Sequence, residues 1–390
     1  MLTSILFLLV YDLLNEVGKR GEVTQARNLP RIYRILILFI SGWFYLLINK
    51  IKRVKFNRLL ICIYGLISLH IVSSSTFGLD SLISLSKLLY LLFVYLFFFK
   101  FYSLFFNNLT IKYLNLFVFA SVVAVSLHII GSRFGILGGE VLLKTYGDNN
   151  SYILLSFLPM IFVNRNLKTR RILIIITVFG VFLSLKRGAM VALLFCMLGA
   201  YFFDKKIIQK KDVIHKFKNF FVIVFSVLIL FSLYSKFSDL FIERFDDFSS
   251  DEESIGSGRG NIYTSIWEDW FQSDSFTTYF LGNGYNSVQV LTKRITGSAL
   301  MAHSDTFNFI HSYGLLGIGL LLLFTIYQLK IIRKLFIIKS ELVIPYYMLF
   351  IIFFFKSIYS GNFESPNFVY LLISFAILNV LISNLKIKSQ

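Results

Sequence analysis

The chain has 390 residues, of which 56% are hydrophobic and 15% charged, and its mean hydropathy is +0.73. A soluble globular domain carries about 25% charged residues, and the apolar residues here fall in blocks reaching the roughly 17–25 residues that cross a bilayer as a helix, which excludes a soluble fold. The net charge of +18 sits mostly in short loops between those blocks, so the positive-inside pattern accounts for it and no nucleic-acid partner is called for.

The first apolar block, 2–14, is short, and no small-residue cleavage site marks it as a signal peptide. Spans are expected at 33–49, 57–75, 82–104, 111–131 and 149–164. Residues 171–203 exceed one span and are broken by Lys186-Arg187-Gly188, which predicts a helical hairpin. Spans at 219–235, 305–329, 342–358 and 367–384 follow. The expected fold is an all-α integral membrane protein, with 1–390 forming one polytopic bundle of about 11–12 transmembrane helices. Cys62 and Cys196 lie inside apolar blocks, where free thiols pack as small hydrophobes.

Loop charge sets the orientation. Residues 50–58, 164–171, 204–218, 330–339 and the tail are basic, and the spans above put all of them on one side, the cytoplasmic one. The other side receives 76–81, 132–148, the Lys186-Arg187 turn, 359–366 and the single large outer loop, 236–304. One segment disagrees: Lys19, Arg20, Arg27, Arg31 and Arg34 fall outside in this arrangement. Either the first block does not span, or those charges have a local reason. The large loop is acidic at first (Asp239 to Glu253) and then glycine-rich and aromatic, and short helices are expected in it.

Several residues have the chemistry for a site. Arg187 interrupts the longest apolar stretch, where a guanidinium costs at least a few kcal/mol unless it faces a polar cavity or partner. It is either a turn residue reaching the interface or a clamp for phosphate, which guanidinium binds bidentately. Lys186 stands beside it. Arg259 lies in GSGRGN, whose glycines allow close backbone approach. His303 precedes Ser304 and Asp305, either of which can cap the next helix. The positive end of that helix favours a neutral imidazole able to accept a proton. His311 lies about 12 Å further along the same helix and reads as a polar core residue or a substrate contact. Asn149 and Asn150, in YGDNNSY, either cap a span or bind sugar. Gly314, Gly317 and Gly319 are spaced for close helix packing. No Asp-x-Asp pair or metal-ligand spacing is visible, so no metal and no other cofactor is expected.

SLKRGAMVALL, SGRGNIY, LGNGYN, AHSDTFNFIHSYGLLGIGLL and GDNNSYILLSFLP, in their order along the chain, resemble the motifs of the O-antigen polymerase and O-antigen ligase superfamily (Wzy-type and WaaL-type proteins). The sequence departs from that pattern at Lys186, in its short first block and in its compact outer loop. The resemblance implies a GT-C-type glycosyltransferase of the bacterial inner membrane with its active site facing the periplasm. It implies a donor and an acceptor glycan carried on undecaprenyl diphosphate, and inverting transfer to a sugar hydroxyl without metal. Arg187, Arg259 and His303 would be catalytic, and Lys186, Asn149, Asn150, Asp305 and His311 would bind substrate. A chain-length regulator would be a partner.

Polymerisation of repeat units for O-antigen or capsule is the leading expectation. The alternatives are ligation of finished glycan to lipid A-core, and transport by a lipid-linked-oligosaccharide flippase. A transporter would spread charges through several spans and show repeated halves, whereas the unusual residues here gather on one face. The topology is checked with Ser250→Cys and Ser389→Cys, each in a background without Cys62 and Cys196. In intact cells an impermeant thiol reagent should label the first and not the second; labelling at 389 would overturn the assignment.

Overall fold

The computed structural model describes residues 1–18, 28–47, 55–74, 78–133, 150–164, 166–207, 259–273, 275–300, 302–363, 365 and 367–388. Among them every regular element is a helix, and the chain is an all-α membrane protein. The expected span 219–235, the acidic stretch 236–258 and Asn149 lie outside the described residues. The chain divides into two compact units, Met1–Ile207 with Leu323–Gln390, and Ile208–Leu322.

The first unit holds α1 (Leu2–Gly18), α2 (Asn28–Leu47), α3 (Lys55–Val72), α4 (Leu79–Leu104), α5 (Asn108–Arg133), α6 (Asn150–Val163), α7 (Leu167–Leu183) and α8 (Arg187–Ile207). In the second lie α9 (Arg259–Phe271), α10 (Phe276–Leu281) and α11 (Ser287–Thr296). The helix α12 (Asp305–Ile337) begins in the second unit and continues into the first, which α13 (Val343–Tyr359) and α14 (Phe368–Lys388) complete.

Each described apolar block is a helix. Among the described residues, five helical stretches are long and apolar enough to cross a membrane: Ser81–Leu104, Asn108–Arg133, Arg187–Asp204, Asp305–Ile337 and Phe368–Leu385. Shorter apolar helices accompany them, among them Asn150–Val163 and Val343–Tyr359. Local chemistry sets several ends. Asn107 Oδ1 accepts from Thr110 N–H while Thr110 Oγ1 accepts from Asn107 N–H, a reciprocal cap where α5 begins. The Asn166 side chain accepts from the amides of Lys168 and Thr169 and caps α7. The predicted hairpin is present: α7 ends at Leu183, Leu185 takes a left-handed backbone (φ 54°), and α8 opens on Arg187.

At the centre of the first unit lies α6, whose residues from Asn150 to Ile161 are all buried. A helix apolar all round belongs inside a bundle. It packs against α5, α7, α13 and α14, and Ser374 of α14 donates to the Ser156 carbonyl at 2.9 Å. The outer helices instead expose large apolar side chains, with Phe39 70% and Trp43 69% exposed on α2, and Leu116, Leu127 and Ile175 exposed on α5 and α7. Monomeric soluble proteins rarely expose contiguous apolar patches on this scale, and lipid is the solvent that accepts them. Of the basic residues that disagreed with the charge pattern, Arg34 has a local reason: it pairs with Asp12, tying α2 to α1. The helix expected to end near 329 runs on to Ile337, because long basic side chains such as Lys330 and Arg333 can extend to the interface without ending a helix.

Gly199 marks a tight helix contact, since a Cβ there would lie 1.9 Å from a ring carbon of Tyr347, whereas Gly65 faces open space. Gly199→Ala should therefore lower stability by about 1–3 kcal/mol through overpacking, despite alanine's better helix propensity. Gly65→Ala should be neutral or stabilising by up to about 1 kcal/mol. Unfolding midpoints of the two variants in detergent micelles test the pair; equal shifts would sink the packing argument.

Candidate functional site

In the first unit, the ends of six helices meet. Arg133, the last residue of α5, is buried and donates from Nη2 to the Ser184 carbonyl at the turn between α7 and α8. That bond fixes the turn carrying Lys186 and Arg187, both half-buried. A Cβ on Gly188, the next residue, would lie 2.3 Å from the Tyr152 hydroxyl and 3.1 Å from Cβ of Tyr359. So the hairpin tip, the start of α6 and the end of α13 share one end of the unit. Asn150, the first residue of α6, is buried there. One turn before Tyr359, the buried Lys356 places Nζ 5.9 Å from the centroid of the Phe368 ring, at the start of α14.

Four cations, Arg133, Lys186, Arg187 and Lys356, thus lie at one end of the first unit. Only two of them, Lys186 and Arg187, were singled out from sequence. Arg133 fell in the expected loop 132–148 and Lys356 in the expected span 342–358, and nothing in their spacing marked them. Cations sheltered from water attract a phosphate far more strongly than cations on an open surface.

The second unit is built around α12. Ser304 is its N-cap residue, its carbonyl accepting from Asn308 N–H at 3.0 Å. Ser304 and Asp305 are buried, while His303 is exposed and takes a left-handed backbone (φ 51°). Just before it, Ala302 joins a core with Ile266, Val288 and Leu291, and Tyr263 stacks on Phe307 with ring centroids 4.3 Å apart. Thr292 Oγ1 accepts from Leu300 N–H and donates to the Leu300 carbonyl, both at 2.9 Å. His303 is held from both sides of the chain. Arg259 is the first residue of α9, and its side chain lies outside the described atoms.

At Gly314 the helix breaks (φ 59°, ψ −154°). The LGNGYN loop lies against the break: Asn283 N–H donates to the His311 carbonyl at 2.8 Å and Gly284 N–H to the Ser312 carbonyl at 3.0 Å. The two backbones approach so closely that a Cβ on Gly282 would sit 2.4 Å from Ser312 main-chain atoms, and one on Gly314 would sit 2.6 Å from those of Phe280 and Gly282. The glycines were expected to pack helices. Instead Gly314 admits a loop backbone, Gly319 faces open space, and Gly317 lies against its own helix at Tyr313 and Phe309.

His311 stands beside this junction and is buried. Its Nε2 lies 3.0 Å from Asp269 Oδ2 of α9, and its Nδ1 lies 2.9 Å from Ser287 Oγ at the start of α11. A carboxylate only accepts, so Nε2 carries the proton, and in the neutral ring Nδ1 accepts from the Ser287 hydroxyl. The Asn283 amide lies 3.3 Å from the same Nε2. Ser287 Oγ also meets Ser312 Oγ at 3.1 Å, and Arg294 donates to the other oxygen of Asp269 at 3.0 Å. Sequence reasoning read His311 as a polar core residue or a substrate contact. It missed Asp269, Asn283 and Ser287, whose only signal was their position in glycine- and aromatic-rich segments beside the motifs it did use. Among the described residues no group of three metal-ligating side chains gathers.

Comparison of the chain with protein-family models and with curated proteins finds no match.

The Gly282–Gly314 contact makes its own prediction. Alanine at either position meets both a left-handed backbone and a neighbouring main chain, a combined cost on the order of 2–4 kcal/mol. Either variant should lower the unfolding temperature in micelles and speed amide exchange at Asn283 and Gly284. Wild-type exchange there in both variants would show that the loop does not depend on the contact.

Proposed function

We propose that this chain is a GT-C-type membrane glycosyltransferase that polymerises glycan repeat units carried on undecaprenyl diphosphate, at the outer face of a bacterial inner membrane. The reading rests on the motif resemblance to the O-antigen polymerase and ligase superfamily. The observation that carries it is the cationic end of the membrane unit, where Arg133 holds the turn that presents Lys186 and Arg187. A diphosphate on an apolar carrier needs such a place, with lipid-exposed helices around it and cations sheltered from water.

In this mechanism a sugar hydroxyl of the acceptor attacks the anomeric carbon of the donor glycan. The bond from that carbon to the diphosphate oxygen breaks, and undecaprenyl diphosphate leaves with the electron pair. His303, exposed before the first turn of α12, takes the hydroxyl proton. Arg187 and Arg259 hold the diphosphate and stabilise the charge it gains on leaving. Lys186, Asn149, Asn150 and Asp305 contribute substrate contacts. Of about 11–12 spans in this reading, the segment 236–304 is the single large outer loop.

Deletion and complementation test it. The deleted strain should carry surface glycan of a single repeat unit. His303→Ala should fail to restore long chains, since loss of a general base costs about 10²–10⁴ in rate. Arg187→Lys should also fail, because a point charge does not replace a bidentate fork. Full-length glycan accumulating on the carrier lipid of the deleted strain would identify a ligase instead. Full-length polymer from normally inserted His303→Ala would remove His303 as the base.

A further inference from the structure

The groups around His311 take no part in the transfer as written, yet among the described residues they form one connected hydrogen-bonded group, Arg294–Asp269–His311–Ser287–Ser312. We propose that His311, with Asp269 and Ser287, is a lock that positions His303, an assignment that rests on the reading of His303 as the base.

The case begins with the break at Gly314. A continuous helix holds its first turns rigid through its own backbone bonds. Here the segment 305–313 lies upstream of a non-helical joint, so its direction is set by what it touches. An apolar contact fixes its start, and its end is fixed by the loop amides on the His311 and Ser312 carbonyls together with the His311 ring. Near its start, Ala302 and Phe307 pack into the apolar cluster with Ile266, Val288, Leu291 and Tyr263. Near its end, His311 reaches three separate elements at once: its ring bonds Asp269 on α9 and Ser287 on α11, and its carbonyl accepts from Asn283 N–H of the LGNGYN loop. Without the ring, the end of the segment keeps the main-chain bonds to Asn283 and Gly284 and the Ser312 contact with Ser287, and loses its tie to Asp269 on α9. With both ends held the segment is fixed at two points, and so is His303, attached to its first turn.

Direct chemistry by His311 itself does not fit the same geometry. Its side chain is buried, and both ring nitrogens are engaged. A substrate hydroxyl would have to displace Ser287 or Asp269 to reach it. His311 is therefore a positioning residue, and Asp269 orients it by holding the proton on Nε2 while Arg294 holds Asp269.

Two measurements on the full chain in lipid nanodiscs test the lock. The first is amide exchange. In His311→Ala and Asp269→Asn, exchange at residues 283–287 should quicken about tenfold or more relative to wild type; unchanged exchange would overturn the lock. The second is extension of a synthetic undecaprenyl-diphosphate-linked repeat unit. His311→Ala should lower kcat about 10–100-fold, the scale of a small misplacement, with KM changed less than about threefold. His311→Gln, whose amide offers a donor to Asp269 and an acceptor to Ser287, should recover most of that loss. A glutamine variant as inactive as alanine, or a KM that rises in step, would mean that His311 meets substrate directly and would overturn the positioning role. A wild type that extends no repeat unit counts against the polymerase reading alone, and the exchange measurement then decides the lock. Should His311→Ala fail to insert, His311→Gln and Asp269→Asn carry both arms.

Discussion

Everything described in the second unit depends on two backbones touching without side chains between them. A helix satisfies its own amides and carbonyls, and α12 stops doing so at Gly314. The carbonyls of His311 and Ser312 then need other donors, because unpaired buried backbone groups are costly. The amides of Asn283 and Gly284 supply them, which requires the loop to come within hydrogen-bonding distance of the helix axis. Only glycine at 282 and 314 allows that approach. Once the loop is seated, Ser287 opens α11 beside His311, and the apolar face of α11, with Val288 and Leu291, meets Ile266 and Ala302.

In the first unit the governing constraint is the cost of charge. Its interior is apolar, and its outer helices present Leu, Ile and Phe outward. Burying a cation in such surroundings is unfavourable unless something compensates it. Arg133 meets a carbonyl, Lys356 approaches an aromatic ring, and Arg34 pairs with Asp12. These are different solutions to one problem. Basic residues also stand at the opposite end of the same hairpin, where Lys168, Arg170 and Arg171 open α7, so what sets Arg133 and Lys356 apart is their burial.

The apolar blocks were legible because lipid imposes length and composition together, and helices answer both. The hairpin at Lys186 was legible because the block was too long for one span and charged at its middle. The length of α12 was misjudged, since Lys330, Arg333 and Lys334 look like a loop in a charge count while their side chains permit a continuing helix. Gly314 was legible as a glycine with a purpose, but its purpose was not. A small residue needed for helix packing and one needed for a loop's approach look alike in a sequence. The partners of His311 lie 42, 28 and 24 residues away, at Asp269, Asn283 and Ser287. No periodicity links positions on separate short helices, so only the folded arrangement joins them.

The position of the break within α12 follows a change in the sequence itself. From Ser304 to Tyr313 the segment carries Asp305, Thr306, Asn308, His311 and Ser312 among its apolar residues. From Leu315 to Phe324 it carries none of these types and reads LLGIGLLLLF. Gly314 stands between the two. An unbroken helix would have to point its polar side chains wherever the apolar portion's packing dictated. A joint at the polarity boundary frees the first portion to turn toward α9, α11 and the LGNGYN loop, while the second keeps the self-satisfied backbone that lipid demands. The break costs helix hydrogen bonds, and the loop amides offset that cost. The same few residues therefore end one kind of environment and begin another, with His303 and His311 both on the hydrogen-bonded side of Gly314.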